Sequence, residues 1–132
     1  MSGTSRQGQS CPCGSSESYA ACCGRYHLGD RPTTAEALMR SRYSAYVFGL
    51  HEYLSETWHP GTRPEDASAD GPPTTWLGLR VKRSEQIDAD HAIVEFEARY
   101  KVNGRAFRLH EISRFAREGG RWFYVDGRFP KG

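Results

Sequence analysis

Residues 92–104 read Ala-Ile-Val-Glu-Phe-Glu-Ala-Arg-Tyr-Lys-Val-Asn-Gly, and this stretch decides the fold. Ala92, Val94, Phe96, Ala98, Tyr100 and Val102 alternate with Glu95, Glu97, Arg99 and Lys101. A period of two is what a half-buried strand imposes, because successive side chains leave opposite faces of a sheet. Asn103-Gly104 follows at once. Both residue types tolerate positive φ, so the pair predicts a two-residue type I′ hairpin. Residues 105–117 then form the returning strand, Glu118-Gly119-Gly120 the next turn, and residues 121–126 the last strand. Upstream, residues 76–85 supply the first strand of an antiparallel meander.

Further upstream, residues 60–75 carry four prolines and two glycines and read as a loop. Before it the apolar period changes to that of a helix. Pro32-Thr33-Thr34-Ala35-Glu36 marks a helix start, with Thr33 as N-cap and Glu36 completing a capping box. Met39, Tyr43, Tyr46, Val47 and Leu50 recur at helical spacing and define one apolar face. Residues 51–58 are a second short helix, stopped by His59-Pro60. Two helices followed by a meander predict an α+β domain with the helices on one face of the sheet.

The chain has 132 residues, of which 37% are hydrophobic, and a net charge of +2. This suits one compact domain with a short appendage, and the charge alone does not imply nucleic acid. Only Lys82, Lys101 and Lys131 are lysines; the other basic residues are arginines, whose forks match carboxylate and phosphate. Residues 1–10 are polar with no apolar run after them, and no stretch approaches the ~20 apolar residues of a membrane span. We therefore expect no membrane association and a cytoplasmic protein, where clustered thiols more often bind metal than pair.

All four cysteines, Cys11, Cys13, Cys22 and Cys23, lie within thirteen positions. Four thiolates satisfy tetrahedral zinc, and Pro12 and Gly14 shape a turn that can point the first two at one centre. Gly24 loosens the backbone after the last pair. His27 is an alternative ligand, since imidazole also binds zinc. A Cys22–Cys23 disulfide would be a strained vicinal bridge, and no C-x-x-C redox pair occurs. Four thiolates leave no open position for water, so the expected zinc is structural.

The segment Cys11-Pro12-Cys13-Gly14-Ser15, then Tyr19, then Cys22-Cys23, resembles the SEC-C motif, the zinc knuckle at the C-terminus of the SecA translocation motor. The resemblance implies that the four cysteines are the ligands; the motif's fourth ligand is Cys or His, so Cys23 fits without His27. The order of helices and long strands resembles the nuclear transport factor 2-like cone. Residues 32–46, Thr57-Trp58-His59-Pro60, Glu111 with Ser113-Arg114-Phe115, and Trp122 to Gly127 extend the likeness to the whole YchJ family. That family joins a SEC-C knuckle to such a cone. The implied organisation is a disordered N-terminus over 1–10, the knuckle over 11–28, and over 32–128 a cone of helices packed on a curved antiparallel sheet. No reaction is implied.

Two functions compete. In the first, the knuckle displays Arg25, Tyr26 and His27 to a protein or to RNA on the ribosome; the resemblance to SecA, whose knuckle binds an acidic chaperone surface and the ribosome, implies those partner classes. In the second, the cone holds a small ligand or substrate, with Glu111 and His59 as candidate catalytic groups. Phe107, Leu109, Glu111, Ser113 and Phe115 share one strand face, so Glu111 stands among apolar neighbours. A carboxylate there acts as a general acid or base unless an arginine such as Arg40 or Arg42 pairs with it. His59 is placed at a helix end near the mouth of the cone. His110 falls on the opposite strand face from Glu111.

Overall fold

The computed structural model describes residues 9–63 and 74–130. Residues 1–8, most of the segment expected to be disordered, and 64–73, most of the expected loop, lie outside the described residues. Gln9 and Ser10 belong to the knuckle: the Tyr19 N–H donates to the Gln9 carbonyl, and Ser10 bridges Ser18.

Four strands, β1 (Thr74–Asp88), β2 (His91–Val102), β3 (Arg105–Glu118) and β4 (Arg121–Arg128), form one antiparallel sheet in sequence order. The Asn103-Gly104 turn is made as expected, with φ of 53° and 77°. From β2 outward the alternation holds: Ala92, Val94 and Ala98 are buried, while Glu95, Glu97 and Arg99 point the other way. β1 is longer than residues 76–85 and reads poorly as alternation. Its pairing with β2 shifts register three times, between Trp76 and Gly78, Val81 and Arg83, and Gln86 and Asp88. Each shift adds a residue to β1 alone, and such bulges bend a strand and increase its twist. Repeated along one edge, they curl the sheet over the helices.

Helix α1 (Cys23–His27) belongs to the knuckle, α2 (Ala35–Phe48) closes the concave side of the sheet, and α3 (His51–Glu56) packs against α2. The N-cap of α2 is Thr34, whose Oγ1 accepts from the Ala37 N–H at 3.0 Å, rather than Thr33. Glu36 turns to Arg40, one turn on, instead of closing a capping box. Thr33 anchors the helix start differently: its carbonyl accepts from the Trp122 indole on β4. Leu38, Met39 and Tyr43 pack with Val94, Phe96, Phe115 and Trp122 to form the core.

The single apolar face expected for α2 understates its burial. Ser41, Arg42 and Ser44 are buried as well, because α3 and the knuckle cover a second side of the helix. Tyr46 is half exposed and Leu50 joins a separate cluster around Tyr53 and Leu54. Among the described residues no helix is long and apolar enough to cross a membrane.

Candidate metal centre

The knuckle begins as a short hairpin. The Cys11 N–H donates to the Glu17 carbonyl, and the Gly14 N–H folds back to the Cys11 carbonyl, so Cys11 and Cys13 flank a tight turn. Tyr19 then starts a single helical turn that delivers Cys22, and Cys23 opens α1. Gly24 serves close approach rather than looseness. It lies within α1, where a Cβ would sit 2.7 Å from the Tyr19 carbonyl oxygen and 3.1 Å from the Tyr19 ring.

The four sulfurs converge. All four Sγ atoms lie within 4.8 Å of one another, with Cys13 and Cys22 at 3.6 Å, and none is disulfide-bonded. A tetrahedral ion with bonds of about 2.3 Å to sulfur has S···S edges of about 3.8 Å, so the donor set fits. The Ser15 Oγ–H donates to Cys22 Sγ at 3.1 Å, and Ser44 Oγ on α2 lies 3.6 Å from Cys11 Sγ. Such outer partners orient thiolate ligands. Hydrogen bonds from Cys13 and Cys23 push the Cys11 thiol down, the bond to Cys11 pushes Cys23 up, and desolvation pushes Cys22 up. Four adjacent thiolates need a positive centre, which a divalent ion held by them could supply.

His27 stands apart from this cluster. Its Nε2 lies 2.8 Å from the Ser41 carbonyl and must therefore donate, which leaves Nδ1 to accept from the Tyr19 hydroxyl. Both ring nitrogens are thus used, Nε2 tying the knuckle to α2 and Nδ1 holding Tyr19 within the knuckle. The three residues expected to form a display surface are split accordingly: His27 turns inward, Arg25 is exposed and stacks on Tyr26 with its Cζ 4.9 Å from the ring centroid, and Tyr26 is half-buried. Arg40 completes the seam, donating from Nη1 to the Cys13 carbonyl at 2.8 Å.

The other candidates are also separated. Glu111 lines a cavity of about 240 Å³ between α2 and the sheet; His59 does not. The His59 N–H and ring pin the end of α3 to the far side: Nδ1 accepts from the Gly61 N–H, and Nε2 donates to Glu118 at 2.7 Å. The two candidate groups therefore do not meet in one cavity. Nor does Glu111 form an ion pair with Arg40 or Arg42 among the described residues. Its Oε2 accepts from Ser113 Oγ at 2.6 Å and from the Tyr124 hydroxyl at 3.2 Å. Tyr124 is held in its donor form, pushed up by burial and by the Glu111 charge. Arg42 spends Nη1 on the Leu54 carbonyl and Thr57 Oγ1 and stacks on Tyr124, with Cζ 4.5 Å from the ring centroid. His110 sits on the convex face as expected, 2.7 Å from Glu95.

An α+β cone of the nuclear transport factor 2-like kind, headed by a four-cysteine knuckle that could hold a metal ion, is the class of protein these features define. A family model described as the YchJ middle NTF2-like domain matches residues 34–127, and the SEC-C motif, a metal-binding motif, matches residues 9–25. The chain belongs to the YchJ family. It is 62% identical over 124 residues to a UPF0225 protein of Cupriavidus metallidurans, covering 89% of this chain and 86% of that one. A UPF0225 protein of Bordetella pertussis is 52% identical over 120 residues, covering 89% and 90%. The solution structure of a SEC-C motif containing protein from Rhodopseudomonas palustris superposes with a TM-score of 0.84 at 33% identity, covering 93% of this chain and 100% of that one. The crystal structure of another, from Psychrobacter arcticus, gives 0.79 at 29% identity, covering 96% and 86%.

Proposed function

We propose that the protein is a cytoplasmic, zinc-pinned interaction module whose knuckle docks on an acidic protein surface. Zinc is the ion that suits four thiolates with no open position, and a reducing compartment keeps all four ionisable. The observation that carries the docking reading is Leu28, which is 85% exposed at the end of α1 beside Arg25 stacked on Tyr26. Arginine and tyrosine are enriched at binding hot spots, and the exposed Leu28 beside them offers apolar area to bury. The knuckle serves here as a rigid mount: the metal fixes Cys23 at one end of α1, and His27 fixes the other against α2.

The experiment is a pull-down from nuclease-treated lysate with zinc-loaded wild type, Arg25→Glu and Leu28→Glu. Wild type retains an acidic protein that both variants lose. Identical capture by all three forms refutes the reading, and capture that vanishes with nuclease transfers it to RNA.

A further inference from the structure

The cavity between α2 and the sheet is independent of the knuckle, and its polar groups are unevenly satisfied. Glu111 is 8% exposed and Arg42 5% exposed, so both are more than nine-tenths buried. Among the described residues both hydrogen bonds to Glu111 fall on Oε2, leaving Oε1 without a partner there. Arg42 uses only Nη1 among the described residues, leaving Nε and Nη2 without acceptors there. Among the described residues, the one fully enclosed polar side-chain atom lacking a partner is Trp58 Nε1. The unused atoms of Glu111 and Arg42 are therefore not sealed in protein, and both residues line the cavity.

The sequence makes room for this arrangement. Gly127 lies in β4 beside Glu111, where a Cβ would stand 2.0 Å from Oε2 and 2.6 Å from the carboxyl carbon. A glycine inside a strand costs stability and marks a close approach, and here the approaching group is the Glu111 carboxylate. The rest of the wall is apolar and aromatic, with Trp76, Tyr43 and Tyr46 on one side and Phe96 and Leu109 on the other. Tyr43 and Tyr46 contact Trp76 edge-on and tilted, at centroid distances of 5.7 and 5.8 Å, giving an aromatic flank.

From this geometry we infer that the cone cavity binds a small, net-neutral molecule with an aromatic body and an amide-like edge, its N–H donating to Glu111 Oε1 and its carbonyl accepting from Arg42. The charges decide the class. One buried carboxylate and one buried guanidinium leave the cavity balanced, so an anion meets Glu111 and a cation meets Arg42, each at the cost of burying a charge without its own partner. A neutral group with a donor beside an acceptor satisfies both. The volume equals that of about eight water molecules, which admits one substituted ring.

Three probes of matched size separate these cases: benzamide, benzoate and benzylammonium, titrated into the zinc-loaded protein and followed by amide and indole NMR shifts. For fragments this small the expected dissociation constant is about millimolar. Benzamide gives saturable shifts at Ser113, Tyr124 and the Trp76 indole, and the two ions bind about tenfold more weakly or worse. In Glu111→Gln the shape is kept and the negative charge removed, so benzoate gains about tenfold and closes most of its gap to benzamide. Ala98→Leu, which fills the cavity from β2, keeps the spectrum of a folded protein and loses benzamide. Absence of saturable shifts with every probe, equal binding of an ion and benzamide to wild type, or unimpaired benzamide binding to Ala98→Leu each overturns the inference. Should Glu111→Gln fail to fold, the wild-type ranking and Ala98→Leu still decide.

Discussion

At the scale of single residues, Arg42 shows how a charge is kept inside the protein. Its Nη1 satisfies the Leu54 carbonyl and the Thr57 hydroxyl, its plane stacks on Tyr124, and its Cζ lies 5.3 Å from the Trp58 ring centroid. Burial lowers its ordinary value, yet an arginine stays charged, and the two ring faces offset part of the lost hydration. Arg42→Met keeps much of the volume but removes the charged donor to the Leu54 carbonyl and the Thr57 hydroxyl at the end of α3. We expect a loss of about 2–4 kcal/mol in urea unfolding of the zinc-loaded protein; a change below about 1 kcal/mol contradicts this account of the α2–α3 contact. None of this was legible in the sequence, where Ser41, Arg42 and Ser44 fall off the apolar face defined by Met39, Tyr43 and Val47. A polar stripe on a helix normally faces solvent. Only the knuckle and α3, packed over that stripe, turn it into an interior.

At the scale of elements, the most legible parts were those whose signal is local. The alternation in β2 and the Asn103-Gly104 turn depend on neighbours in sequence, and both are found as expected. The three bulges in β1 were not legible, because each added residue breaks the period of two that would have revealed the strand. The start of α2 was read one residue early, at Thr33, and the contact that occupies Thr33 instead, Trp122 to its carbonyl, spans most of the chain. Thr34→Ala removes the cap and should cost about 1 kcal/mol in thermal or urea unfolding, while Thr33→Ala should cost less, since only its backbone is used.

The tyrosines on the concave side set an alkaline limit. Burial pushes Tyr43 and Tyr53 up to about 12 from an ordinary value of 10.0. The folded state then holds protons that the unfolded chain releases. Stability is kept below pH 10 and falls as pH rises from 10 towards 12. Urea midpoints across that range should drop as phenolate absorbance grows; a flat midpoint would show that these hydroxyls reach solvent.

For the whole molecule, the knuckle and the cone share α2. Cys11 faces Ser44, Arg40 holds the Cys13 carbonyl, and His27 holds the Ser41 carbonyl. The sequence presents two units because the composition changes near Gly29, and a patterned cone suggests that it stands without the knuckle. The contacts imply coupling instead. Removing the metal should raise amide exchange at residues 41–45 of α2 along with residues 11–27. The centres of β2 and β3, which have their own hydrogen-bonded neighbours, should stay protected. Exchange confined to the knuckle would mean that the seam carries little stability.

The central claim is that Cys11, Cys13, Cys22 and Cys23 together hold one zinc ion while His27 serves the seam. X-ray absorption at the zinc edge of the reduced, freshly purified protein tests it most directly. The account predicts one zinc per chain with four sulfur neighbours at about 2.3 Å and no nitrogen. A nitrogen neighbour in place of one sulfur, or protein that folds and purifies without zinc, would contradict it.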